Sequence, residues 1–129
     1  MMLQAFFTEL KNNGYQGAAH DSHDMRTINA TDNSIYQFMP QAVLQPRTTG
    51  DLDIIFQTAN QPVFSNLKFA ARGGGTGTNG QSLNNVITID TSRYLTRILD
   101  IDFEKGLARV EPGVVLSVLN AKLAKKGFF

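Results

Sequence analysis

The sequence predicts an α+β fold, a small mixed sheet flanked by helices. Three observations lead there. Short apolar runs at Ala42–Gln45, Leu67–Ala71 and Val86–Asp90 alternate with helix-patterned or irregular segments. Five of the eleven glycines fall in the eight positions 73–80, directly after one of those runs. The turn-rich stretch Asp102-Phe103-Glu104-Lys105-Gly106 separates two further strand-like runs, Thr96–Asp100 and Leu107–Glu111, as a hairpin would.

Taken in order, Leu3, Phe6, Phe7 and Leu10 recur at the spacing of one helix face, and Gly14 ends that helix. Residues 18–33 are polar, rich in aspartate, histidine and asparagine, and read as an irregular loop. Ala42–Gln45 is a strand stopped by Pro46. Thr48 or Thr49 then caps a helix from Gly50 to Asn60, with Leu52, Ile55 and Phe56 as its buried face. Leu67–Ala71 reads as a buried strand, and Val86–Asp90 as the next. After the hairpin, Val114–Lys126 is helix-patterned, with Val115, Leu116, Leu119 and Leu123 apolar and Gly127 as a stop. Phe128 and Phe129 open an apolar segment that goes no further. The chain reads as a fragment, with an N-terminal helix and polar loop over 1–33 and the first part of a larger domain over 34–129.

Composition narrows the function. The 129 residues suit one domain with a modest core, and 42% hydrophobic content suits a globular chain. A net charge of +1 gives no electrostatic basis for binding nucleic acid or a membrane surface. No apolar run reaches the roughly 20 residues of a membrane span, and the N-terminus lacks the pattern of a signal peptide. The expected setting is cytoplasmic. With no cysteine there is no disulfide framework, thiolate chemistry or iron–sulfur ligand in this chain. His20 and His23 supply only two metal ligands, so His20-Asp21-Ser22-His23-Asp24 reads as a solvated loop and no metal site is expected.

The chemistry lies in Arg72-Gly73-Gly74-Gly75-Thr76-Gly77-Thr78-Asn79-Gly80-Gln81. A glycine run lets successive amides point to one side, making a concave nest for phosphate oxygens. Its place at the C-terminal end of a strand is where open α/β sheets bind nucleotides. Gly75, Gly77 and Gly80 do spell the dinucleotide fingerprint, but Val86 begins the next strand six residues after Gly80, leaving no room for the crossover helix. Gly75 through Ser82 also approach a P-loop, but Gln81 stands where the phosphate-reaching lysine belongs. The remaining reading is a strand-to-strand loop that grips a pyrophosphate with backbone amides.

Three segments carry a family resemblance: Pro46-Arg47-Thr48-Thr49-Gly50-Asp51-Leu52 ahead of a helix, Arg72-Gly73-Gly74-Gly75-Thr76-Gly77, and Val110-Glu111-Pro112-Gly113-Val114. In this order they resemble the flavin domain of the FAD-linked oxidases of the vanillyl-alcohol oxidase/p-cresol methylhydroxylase (PCMH) type, over about residues 30–129. Thr31-Asp32-Asn33-Ser34-Ile35-Tyr36 and the stretch from Gly73 to Gln81 are similar to bacterial D-2-hydroxyacid dehydrogenases that act on D-lactate or D-2-hydroxyglutarate. The large members of that group carry an iron–sulfur module further along.

The resemblance implies the N-terminal half of a PCMH-type FAD-binding domain, in a flavoprotein that oxidises a small 2-hydroxy acid to the 2-oxo acid. It implies that the catalytic residues lie beyond Phe129, so none is assigned here, and that the isolated fragment is inactive. Gly73, Gly74, Gly75, Gly77 and Gly80 would form the phosphate nest. Thr76, Thr78 and Ser82 either donate hydroxyls to phosphate or satisfy the turn backbone. Asn79 reads as a residue tolerant of left-handed backbone. Arg72 either neutralises pyrophosphate charge or, the preferred reading, pins the loop base through a salt bridge. Pro46 lies beside the adenine or simply ends a strand; Pro112 and Gly113 let backbone approach the flavin side of the cofactor or form an ordinary turn. Some branches of the fold attach FAD through a histidine in the glycine loop. Here that stretch is Gly74-Gly75-Thr76, so the FAD is expected to be non-covalent. Two other readings stay open: a non-catalytic module, and a binder of another phosphate ligand such as a nucleotide or coenzyme A. Exposed apolar surface at Phe128 and Phe129 suggests self-association of the isolated chain.

Overall fold

A computed structural model describes residues 2–128. The chain folds as α1 (Met2–Asn12), β1 (Ala18–His20), α2 (His23–Ile28), β2 (Ala42–Gln45), α3 (Thr49–Ala59), a 3₁₀ turn (Pro62–Phe64), β3 (Phe69–Arg72), β4 (Ile87–Asp90), β5 (Ile98–Asp102), β6 (Leu107–Val110) and α4 (Leu116–Leu123), the last running into a 3₁₀ turn (Ala124–Lys126). The first four strands form one mixed sheet in the order β1-β2-β4-β3. β2, β4 and β3 run parallel, and β1 is antiparallel to β2. β5 and β6 make a separate antiparallel hairpin, closed at Gly106, whose φ is +66°.

The core forms because alternate residues of the central strands face the helices. Ala42, Leu44, Ile87 and Ile89 meet Phe6, Phe7 and Leu10 of α1 and Ile55 of α3, and all are buried. Phe6 is fully buried, with Phe64 edge-on at 5.2 Å between ring centroids. Burying one such side chain stabilises the fold by about 2 kcal/mol. The opposite-facing Val43 and Thr88 are also fully buried, so β2 and β4 are covered on both faces, as central parallel strands require.

Several expectations need correction. Residues 18–33 are not one irregular loop. Ala18–His20 pairs with β2 through Ala18↔Gln45 and His20↔Val43, and His23–Ile28 is a short helix. On α3 the buried residues are Asp51, Ile55 and Thr58, while Phe56 is half-exposed and lies edge-on to Phe69. β3 is an edge strand and only partly buried, because β4 covers one side alone. The last helix is shorter than its pattern, and none of its residues is buried. Phe128 is half-exposed and packs on Phe103 at 5.6 Å; Phe129 lies outside the described residues. No helix among the described residues is long and apolar enough to cross a membrane.

Candidate functional site

The parallel strands β2, β4 and β3 end at one edge of the sheet, and the candidate residues gather there. β3 ends at Arg72, opposite Asp90, the last residue of β4. The segment from Gly73 to Val86 then crosses from β3 to its parallel neighbour β4 as irregular chain with no helix. β2 ends at Gln45, whose side-chain amide donates to Asp90 Oδ2 at 2.8 Å, and the buried Pro46 follows. Asp90 also accepts from the Ser92 amide at 2.9 Å and the Ser92 hydroxyl at 2.6 Å. A buried carboxylate thus ties the ends of two strands and the chain beyond. No spacing rule marked Gln45 in advance.

The Pro112–Gly113 turn is held against this edge. The Gly113 amide donates to Leu95 O at 2.8 Å, and a Cβ there would strike the carbonyl oxygens of Thr91 and Leu95. Thr91 in turn donates its amide and hydroxyl to Arg72 O at 2.9 and 3.1 Å. A Cβ on Gly73 would lie 3.9 Å from Pro112 O, so the glycine loop starts beside this turn.

Within the loop, Gly75 and Gly80 have φ of +66° and +76°, which an L side chain rarely adopts. Asn79 does not take left-handed backbone, since among the described residues no non-glycine residue has positive φ; its amide donates to Gln81 Oε1 at 3.1 Å. Thr76 and Thr78 are exposed. Among the described residues, no partner is found for the amides from Gly74 to Thr78, which leaves a run of free donors.

Arg72 pins the loop base by hydrogen bonds, not by the expected salt bridge. Its Nη2 donates to Thr31 O at 2.8 Å and its Nη1 to Ser82 Oγ at 3.3 Å, and its guanidinium occupies the space that a Cβ on Gly75 would fill. The Ser82 hydroxyl donates to Asp32 Oδ2 at 3.0 Å, so its proton is already engaged. The Asp32 carboxyl is held below the usual carboxylate range, first by hydrogen bonding to Ser34 and then by Ser82 and the charge of Arg72. Beside Pro46, Arg47 lies over the Tyr94 ring at 5.0 Å and Arg93 flanks it at 5.6 Å; their hydrogen bonding and charge lower the phenol's pKa. No group of three or more His, Cys, Asp or Glu among the described residues is placed to hold a metal.

A strand-to-strand glycine loop, its amides from Gly74 to Thr78 without protein partners among the described residues, stands at the C-terminal edge of parallel strands, where open α/β sheets bind ligands. Residues 40–129 match the FAD binding domain family, and the chain belongs to it. It is 51% identical over 124 residues to a D-2-hydroxyglutarate dehydrogenase of Pantoea ananatis and 47% identical over 124 residues to one of Escherichia coli. Each alignment covers 96% of this chain and 12% of the relative, so the chain spans about an eighth of those proteins. The fold is shared with an alkyldihydroxyacetonephosphate synthase structure (TM-score 0.78, 19% identity, covering 96% of this chain and 25% of that one). A carbohydrate oxidase from Microdochium nivale also shares it (TM-score 0.71, 23% identity, covering 95% and 26%). The mixed sheet flanked by helices is therefore a fold found within FAD binding domains.

The residues present fit FAD. The free amides from Gly74 to Thr78 suit pyrophosphate oxygens, and the Arg72 cation lies behind the loop. The two histidines stand on β1 and α2, outside the glycine loop.

Proposed function

We propose that this chain supplies the pyrophosphate-gripping part of the FAD site in a dehydrogenase that oxidises a D-2-hydroxy acid, D-2-hydroxyglutarate in the first instance. The observation that carries this reading is the unpaired amide run of Gly74–Thr78, set in a sequence about half identical to dehydrogenases of that name. When bound, FAD supplies the acceptor for the hydride leaving C2 of the substrate.

The chain's own part is binding and orientation. The amides of Gly74, Gly75, Thr76, Gly77 and Thr78 hold the phosphates. Gly73 and Gly80 shape the loop ends, and Arg72 offsets phosphate charge from behind. Pro46 borders the adenine side, and Pro112 and Gly113 bring backbone towards the flavin side. The FAD is non-covalent, since Thr76 stands where an attached histidine would be needed. The acid–base group that takes the hydroxyl proton belongs to the remainder of the protein, as does any iron–sulfur cluster, because this chain has no cysteine. A cytoplasmic setting accords with the cysteine-free composition. The half-exposed Val115, Leu116, Val118 and Phe128 favour self-association when the 129 residues are isolated.

The test is dye reduction by the full-length protein with D-2-hydroxyglutarate, D-lactate and their L enantiomers. Turnover with the D acid alone supports the reading; failure of both D acids to reduce the flavin overturns it.

A further inference from the structure

The segment Thr31-Asp32-Asn33-Ser34-Ile35-Tyr36 forms no helix or strand, yet four of its residues converge on the glycine loop. Thr31 O accepts from Arg72 Nη2 at 2.8 Å, and Asp32 Oδ2 accepts from Ser82 Oγ at 3.0 Å. Ser82 Oγ accepts in turn from Arg72 Nη1 at 3.3 Å. Asp32 Oδ1 accepts from the Ser34 amide at 2.8 Å, and the Ser34 hydroxyl accepts from the Tyr36 amide at 3.1 Å. A Cβ on Gly80 would meet the Tyr36 ring at 3.2 Å and Ser34 Oγ at 3.7 Å. The strap therefore grips the loop at both ends, at Arg72 and at Ser82 with Gly80, and leaves the amides between them free.

From this geometry we infer that Asp32, Ser82 and Arg72 form a latch that presets the glycine loop in its FAD-binding shape, with Asp32 as a positioning residue. A five-glycine loop has much backbone freedom, and fixing it only on binding would weaken affinity. The latch holds that order before the ligand arrives. A carboxylate is also a poor direct partner for a pyrophosphate. If Asp32 acted on FAD through its charge alone, its removal would tighten binding. The latch predicts weaker binding, so the sign of the effect separates the two roles.

The inference rests on the proposed role of the glycine loop, and the variants separate the two claims. In the full-length protein, FAD affinity is measured by flavin-fluorescence titration after the cofactor is stripped, at a temperature well below unfolding. Asp32→Ala and Ser82→Ala should each raise the FAD Kd about tenfold. The double variant should be no weaker than the worse single one, because both break one network. Ser82→Thr, which keeps a hydroxyl, should restore most of the affinity. Wild-type or tighter binding in Asp32→Ala, alongside loss of FAD in Gly75→Val, would overturn the latch and leave the loop's role standing. Wild-type binding in Gly75→Val would overturn both.

Discussion

The Glu111 carboxylate, 3% exposed directly after β6, accepts from Arg97 three times. Arg97 Nε and Nη2 donate to Oε1 at 3.0 and 2.8 Å, and the Arg97 amide donates to Oε2 at 2.7 Å. This cross-link sets the approach to the Pro112–Gly113 turn. Hydrogen bonding to Arg97 holds the Glu111 carboxyl below its ordinary value of 4.5. A carboxylate with a depressed folded-state pKa stabilises the fold above its unfolded value and loses that contribution as the pH falls through the folded one. Stability to thermal unfolding should therefore fall below about pH 4.5 more steeply in the parent than in Glu111→Gln. Equal slopes in the two proteins would show that the pair is not coupled to folding.

Asp51 is a buried acid with a structural task. It accepts from the amides of Gln16 at 2.9 Å, Arg47 at 2.7 Å and Thr48 at 3.3 Å, while Thr48 Oγ1 accepts from the Asp51 amide at 3.1 Å. This capping box starts α3 directly after Pro46, and Asp51 also ties in the connection between α1 and β1 at Gln16. Thr48→Ala should cost about 1 kcal/mol. Asp51→Ala should cost about 2 kcal/mol, since it also removes the acceptor of the Gln16 and Arg47 amides. Urea unfolding of both variants and the double variant checks this, and the two costs should not add.

The helix cap was legible in the sequence; the burial of Asp51 was not. The α3 pattern points to Leu52, Ile55 and Phe56, but the inward stripe is Asp51, Ile55 and Thr58, spaced i, i+4, i+7. Polar residues take two of those positions because each has a partner, Thr58 receiving Asn13 Nδ2 at 3.0 Å. Hydrophobic periodicity cannot see such pairings. The same limit hid β1, a three-residue strand whose extended form comes from pairing with β2. The glycine loop was legible because its conformation is written in the glycines themselves. The partners of Arg72 lie 41 and 10 residues away in the chain and follow no local rule.

Glycines that look alike should respond differently. At Gly113 a Cβ would collide with two backbone carbonyl oxygens, while at Gly74 the nearest atom, Thr76 Cγ2, would be at an ordinary 3.6 Å. Gly113→Ala should destabilise the fold by about 2–4 kcal/mol. Gly74→Ala should leave the unfolding midpoint within about 0.5 kcal/mol of the parent. Thermal denaturation of the two variants decides it, and comparable losses would contradict the packing described for the Pro112–Gly113 turn.

The flavin should leave without a bond being broken. Acid or heat precipitation of the full-length holoenzyme should release yellow FAD that passes a small-pore filter. Flavin retained on the precipitated chain would show covalent attachment.

If the backbone amides of the glycine loop hold the FAD pyrophosphate, Gly75 is the position where a side chain is least tolerated. Its φ of +66° and the guanidinium of Arg72 behind it leave no place for a branched side chain. FAD titration of the full-length Gly75→Val protein, checked as folded by circular dichroism, is the direct measurement. The affinity should fall by at least about a hundredfold. FAD binding at the parent's affinity in a folded Gly75→Val protein would contradict the assignment.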